Sequence, residues 1–322
     1  MHTLHRLLDL NLALPAEYRG DLSNHLPMAL HALCELGADD ARLIDFHRRY
    51  TRRFEGRPPA RPAQPLDDWR AACGRIDSFD ALRAGFLQQL ERAGIDATLR
   101  AVLPALWPGM AAAAFHGLIR TAHAVQMGHA GETAAGLAYW AARWQALSAP
   151  DAAALPPMDI AAWARHLEAA AQRTHCSGRL ISERIAEVVQ GPDYLRMAAV
   201  APLGPALLPL ASPWAASLYA RSGNFTVLHL VTGLRAARVL WPWVGDEAAV
   251  AAHLQRAVAA ATLASNLKFC AAEPPARDWH GVRAAARASN DEHVIKLVHA
   301  CAEGHAHFGA GDWLRAASRV LG

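Results

Sequence analysis

Apolar residues in this chain recur at i, i+3, i+4 and i+7 in one segment after another and almost nowhere alternate with a period of two. Val294, Leu297, Val298 and Cys301 follow that spacing, and Leu43, Phe46, Tyr50 and Phe54 are spaced helically as well. No pair of alternating runs is joined by a hairpin turn signal, and no 20–50-residue repeat is evident. Alanine, the best helix former, is abundant. These features predict an all-α chain of roughly a dozen helices at ordinary helix lengths. With 53% hydrophobic and 19% charged residues the chain is globular rather than disordered. Its 322 residues can bury a large core, and its proline-rich connectors are short. The expectation is a single globular domain over 1–322 with a buried inter-helix site.

Glycine, proline and capping residues divide the chain. Ser23 or Asn24 can cap a helix with the stripe Leu26, Leu30, Leu33, ended by Gly37. A helix follows from Asp39, and residues 55–66 form a proline-rich connector. Further helices are predicted over 77–93 (stopped by Gly94), 110–127, 132–147, 161–174 and 179–190, with a loop over 149–157. The five prolines in 191–213 point to short, broken helices; 225–240 and 246–272 each read as one helix. Ser289 and Glu292 have capping-box spacing, with Asp291 adding negative charge to that first turn. The chain ends on a helix over 313–321.

Several function classes are excluded. A net charge of +3 is too mild for nucleic-acid binding, and the basic run from Arg48 to Arg53 reads as a solvated helix face. Five cysteines without a C-x-x-C pair give neither a zinc site nor a disulfide framework. The N-terminus lacks a secretory pattern, and no run of about 18 apolar residues is free of charge, so no membrane span is expected and a cytoplasmic location is. There is no dinucleotide or P-loop glycine motif and no nucleophile elbow. Seventeen histidines invite a metal, yet local spacings give none. His166 and Glu168 point to opposite sides of a helix, and no Glu-x-x-His supports a di-iron bundle. His31 and Glu35 read as a helix-surface pair; Glu303, His305 and His307 read as a solvated loop.

Residues 289–299 carry His293 and Lys296, about 60° apart on a helix, both at the margin of the apolar stripe. They read either as a core histidine beside a snorkelling lysine or as part of a site. The heptapeptide DEHVIKL (291–297) resembles the C-terminal motif of the questin oxidase-like family. Three other segments resemble that family's remaining motifs in the same order: NHLPMALHAL (24–33), FHGLIR (115–120) and LHLVTG (228–233). The resemblance implies a non-haem iron oxygenase, with Fe(II) held by His25, His116, His229 and His293, acting with dioxygen on a small apolar or aromatic substrate. Fungal members open a quinone ring of aromatic polyketides in a Baeyer–Villiger-like oxidation. They are associated with NADPH, for which this sequence has no motif, so reducing equivalents, if used, would need a partner such as a separate reductase or an unrecognised site. Met28 and Arg120 stand where further histidines are expected in the fungal members. They are taken as pocket positions, with Trp214, Tyr219 and Phe225 as aromatic walls. His123 shares a helix face with His116 but is not counted among the ligands.

A protonated Lys296 cannot ligate a metal. Burial beside a cation would lower its pKa. The neutral amine could then ligate directly or take up carbon dioxide as a carbamate, and the expectation is a carboxylated, metal-binding Lys296. The competing reading is a non-catalytic helical binding or scaffold protein whose core histidines are satisfied by the backbone.

Overall fold

The computed structural model describes residues 2–60, 62–147, 158–200 and 204–322. The expected helical periodicity is realised as helices α1 (His2–Asn11), α2 (Leu26–Glu35), α3 (Asp40–Thr51), α4 (Phe79–Leu106), α5 (His116–Met127), α6 (Ala130–Ala142), α7 (Ile160–Arg173) and α8 (Ile181–Val188). They are followed by α9 (Pro192–Ala198), α10 (Leu207–Ser222), α11 (Phe225–Leu240), α12 (Glu247–Leu263), α13 (Trp279–Ala288), α14 (Glu292–Phe308) and α15 (Trp313–Arg319). Strand structure among the described residues is one two-residue ladder, Glu17–Tyr18 against Leu22–Ser23. The fold is all-α. One apolar cluster, from Leu4 to Ala317, draws on most of these helices. No helix among the described residues is long and apolar enough to cross a membrane.

Caps set most boundaries. Asp39, Asp159, Asn224, Asp246 and Asp278 each accept a first-turn N–H, which fixes where α3, α7, α11, α12 and α13 begin. Gly94 breaks α4 with φ 78°. Other boundaries depart from expectation. The helix predicted over 110–127 starts only at His116, because Ala113, Ala114 and Phe115 turn left-handed. The helix predicted to reach 272 ends at Leu263, just before left-handed Asn266 (φ 50°). Asp291, not Ser289, caps α14. Residues Glu303 to His307, expected in a loop, belong to α14 itself. The loop predicted over 149–157 lies outside the described residues.

Four helices form a closed ring. α2 packs on α5, α5 on α11, α11 on α14, and α14 on α2. These four carry the four family-motif histidines.

Candidate metal centre

Each of the four histidines stands at or near the start of its helix, held by a different local device. His25 is the N-cap of α2; its own N–H donates to Tyr50 Oη at 2.9 Å. The next residue, Leu26, donates to Asn24 Oδ1 at 3.0 Å. Asn24 is fixed in turn by a buried relay: Asn24 Nδ2 to Asn11 Oδ1 (3.0 Å), Asn11 Nδ2 to Glu132 Oε1 (2.7 Å), and a two-bond ion pair from Arg120 to Glu132. His116 follows three consecutive residues with positive φ (46°, 56° and 66°), an uncommon backbone for alanine and phenylalanine. That turn brings Ala113 O within 2.5 Å of His116 Nδ1. It also seats Phe115 against Gly233, where a Cβ would stand 2.9 Å from the ring. His229 lies in the first turns of α11 and donates from Nδ1 to Phe225 O at 2.8 Å. His293 is the second residue of α14; its N–H donates to Asp291 Oδ1 at 2.7 Å.

The rings meet as a square. Centroids are 4.5 Å apart for His25–His116, 5.0 Å for His116–His229, 5.4 Å for His229–His293 and 4.8 Å for His25–His293. Burial is the main force lowering the pKa of all four, reinforced by Lys296 and, for His25, His116 and His229, by the neighbouring histidines; for His293 it prevails over Asp291 and Glu292, so the imidazoles are neutral near pH 7. Their tautomers then follow. His116 and His229 donate from Nδ1 to carbonyls, which leaves each Nε2 a bare lone pair. His25 Nε2 faces His116 Nε2 at 2.8 Å. With a proton on His25 Nδ1, two lone pairs confront one another. With it on Nε2, the bare Nδ1 has no hydrogen-bond partner and meets the Glu292 carboxylate at 3.6 Å. A cation between His25 Nε2 and His116 Nε2 would resolve both conflicts, and carbonyl-anchored Nδ1–H groups are how metal-binding histidines are commonly oriented. The residues therefore fit a metal of the imidazole-preferring kind, iron included.

Glu292 is the residue that sequence reasoning missed. Given a capping role there, its carboxylate is instead buried. Its oxygen falls with one nitrogen each of His25 and His293 inside a mutual 4.8 Å. Burial would raise its pKa, but the bidentate Arg53 guanidinium (2.6 and 3.0 Å) outweighs that and keeps it ionised. The histidine set thus has a carboxylate beside it without any modification of Lys296. Lys296 is not at a stripe edge; it is 1% exposed and burial brings its pKa down to about 8.

A second layer lies deeper. His31, His123 and His299 stand six or seven residues beyond His25, His116 and His293, with ring centroids 5.0–5.6 Å apart. Arg235, six beyond His229, joins them through Glu303. Offsets of six or seven residues in the same sense on four helices mean that all four run the same way, the layers separated by about 9 Å of helix rise. Four helix N-termini therefore point their positive ends at the square, disfavouring its protonation and favouring anions beside it. His31 is consequently no surface residue: it is buried, bonds His123 Nδ1 at 2.8 Å, and burial lowers its pKa to about 3. The repeated offset within three motif helices was the available signal.

The square opens on a cavity of about 800 Å³ lined by His25, His116, His229 and His293. Of the expected pocket residues, Phe225 lines it, its ring 4.7 and 4.8 Å from His229 and His293. Met28 and Tyr219 point into the core instead, Arg120 is consumed by Glu132, and Trp214 donates to Glu168; none of these four lines the cavity.

A family model described as questin oxidase-like matches residues 22–202, more than half of the chain. The match takes in the segments carrying His25 and His116. No curated protein matches the chain. The family's name is that of an oxidase, which puts the chemistry in the oxidoreductase class. By this match, and with an all-helical fold whose four motif histidines face one another across a ring of four helices, the chain belongs to the questin oxidase-like family.

Proposed function

We propose that the chain is a non-haem Fe(II) oxygenase acting on an apolar aromatic or quinone-type ring, by oxidative ring cleavage or Baeyer–Villiger-like oxygen insertion. The observation that carries this is the 2.8 Å approach of His25 Nε2 and His116 Nε2 between neutral rings, a contact that a bound cation explains. His25, His116, His229 and His293 would hold the ion. Glu292 offers a carboxylate to the same set, and a carbamate formed by Lys296 and carbon dioxide, with release of a proton, would add a second anion. Bound iron would supply dioxygen activation. The chain's own part is to orient and enclose. Phe225, 52% exposed, presents a flat face beside His229 and His293, and the ring of helices keeps bulk water from the floor of the cavity. In this reading electrons come from NADPH through a separate reductase.

The test is anaerobic loading with ferrous iron followed by metal analysis. About one iron per chain should be retained, raising the melting temperature through linkage. His116→Ala and His229→Ala should lose it while remaining helical. Dioxygen uptake with aromatic quinones then separates oxygenase from mere metal binder. A wild-type chain that retains no metal would leave the helical binding protein as the better description.

A further inference from the structure

Charged side chains around the cavity are not all spoken for. At one end Arg143 is held by Glu17 and Asp21 at 2.5 and 2.7 Å. On α8, the cavity-lining Glu183 and, one turn on and away from the cavity, Glu187 are both engaged by backbone. Glu183 accepts the Leu180 N–H at 2.9 Å, and Glu187 accepts the Ser177 N–H at 2.9 Å. Among the described residues Arg184 on the same helix gives a single bond, Nη2 to Thr226 Oγ1 at 3.2 Å, and its buried Nε meets no partner there. Arg179 lines the cavity beside it. Neither arginine has a carboxylate within ion-pair distance among the described residues. Thr226 lies three residues, about 4.5 Å of helix rise, from His229, so the guanidinium stands next to the histidine square. Phe225 immediately precedes Thr226 in the sequence, and the four helix N-termini add positive potential to the cavity floor.

We propose that the cavity takes an aromatic anion: a flat ring bearing a carboxylate or an ionised phenol. Its anionic group is held by Arg184, with Arg179 beside it, while the ring lies against Phe225 over the histidines. A guanidinium fork with free N–H groups matches a carboxylate in geometry and charge. The inference deepens the proposed function by naming the substrate class of the same cavity, and it rests on that cavity being the substrate site.

The experiment titrates the full chain with 2-naphthoate and with its neutral isostere 2-naphthamide, read by quenching of ring fluorescence. Protein is used as purified and again after removal of metal with EDTA. The carboxylate should bind at least about tenfold tighter than the amide in both preparations, the ratio expected of one charge-assisted hydrogen bond. Arg184→Gln should bring the two ligands together without weakening the amide. Arg184→Lys, which keeps the charge but not the fork, should retain part of the preference and serves as the working variant if the glutamine form misfolds. Equal binding of both ligands to the wild type overturns the proposal, as does a preference that survives Arg184→Gln. A preference that vanishes on EDTA treatment alone also overturns it, since the metal would then be the anion's partner. Iron content of the same samples keeps the two readings apart. A chain that retains no iron on anaerobic loading yet still prefers naphthoate sinks the oxygenase and leaves the anion site standing.

Discussion

Glu132 and Arg120 form an ion pair in which the side chains are 0% and 3% exposed and the nearest N–O distance is 2.9 Å. Glu132→Leu would strand the Arg120 guanidinium in the core. Leaving one partner of a buried pair uncompensated costs about 3–5 kcal/mol. The lost acceptor of Asn11 Nδ2, now 2.7 Å away, adds about 1–3 kcal/mol. Arg120→Met would strand the carboxylate at a similar cost. Against a total stability of about 5–15 kcal/mol, either variant should show a large fall in urea midpoint. The double variant Arg120→Met/Glu132→Leu removes both charges together. Apolar replacement of a whole buried pair is often neutral or stabilising, so only the Asn11 loss of about 1–3 kcal/mol should remain. The double-mutant cycle must therefore return a coupling energy above about 3 kcal/mol, measured by urea unfolding with unchanged m-value. Single losses that simply add, within about 0.5 kcal/mol, would refute the assignment of Arg120 to a structural pair and return it to candidacy as a pocket residue.

Glu292→Gln keeps the shape of the side chain and removes its charge; iron affinity, read by competition with a chelator, should fall about 10–100-fold, while an unchanged affinity would confine Glu292 to pairing with Arg53. Gly233→Ala puts a methyl 2.9 Å from the Phe115 ring. Overpacking of about 1–3 kcal/mol then competes with a helix-propensity gain of about 1 kcal/mol, so the net effect should be destabilising with weaker iron binding, and a rise in melting temperature would show that the left-handed turn yields freely. Burial pushes Glu303 up, but Arg235 and Arg238 outweigh it and bring its pKa down from 4.5 to about 2. A carboxyl with a depressed folded-state pKa contributes stability above its unfolded value and loses it as pH falls. The wild type should thus lose stability between about pH 4.5 and pH 2, and Glu303→Gln should flatten that slope in acid melts.

Helical class and most helix cores were legible because they are written in local periodicity: Phe225–Leu240 was read with both ends correct from its own sequence. What failed was decided by contacts far along the chain. A left-handed path through Ala113, Ala114 and Phe115 contradicts the helix preference of alanine, and its Phe115 ring is seated against Gly233 more than a hundred residues away. The four motif histidines could be named through the family resemblance, but their convergence into a square needs the ring of α2, α5, α11 and α14, which no spacing within one helix encodes. Glu292 looked like a cap residue because its position in the first turn allows that role. Arg53, 239 residues earlier, draws it inward and makes it a carboxylate beside the histidines. Sequence alone therefore determined which segments are helices and, through the family resemblance, which four histidines to look for. The tertiary structure decided which of those groups are dry, neutral and close enough to act together, because desolvation and lone-pair repulsion depend on neighbours that the chain brings in from a distance.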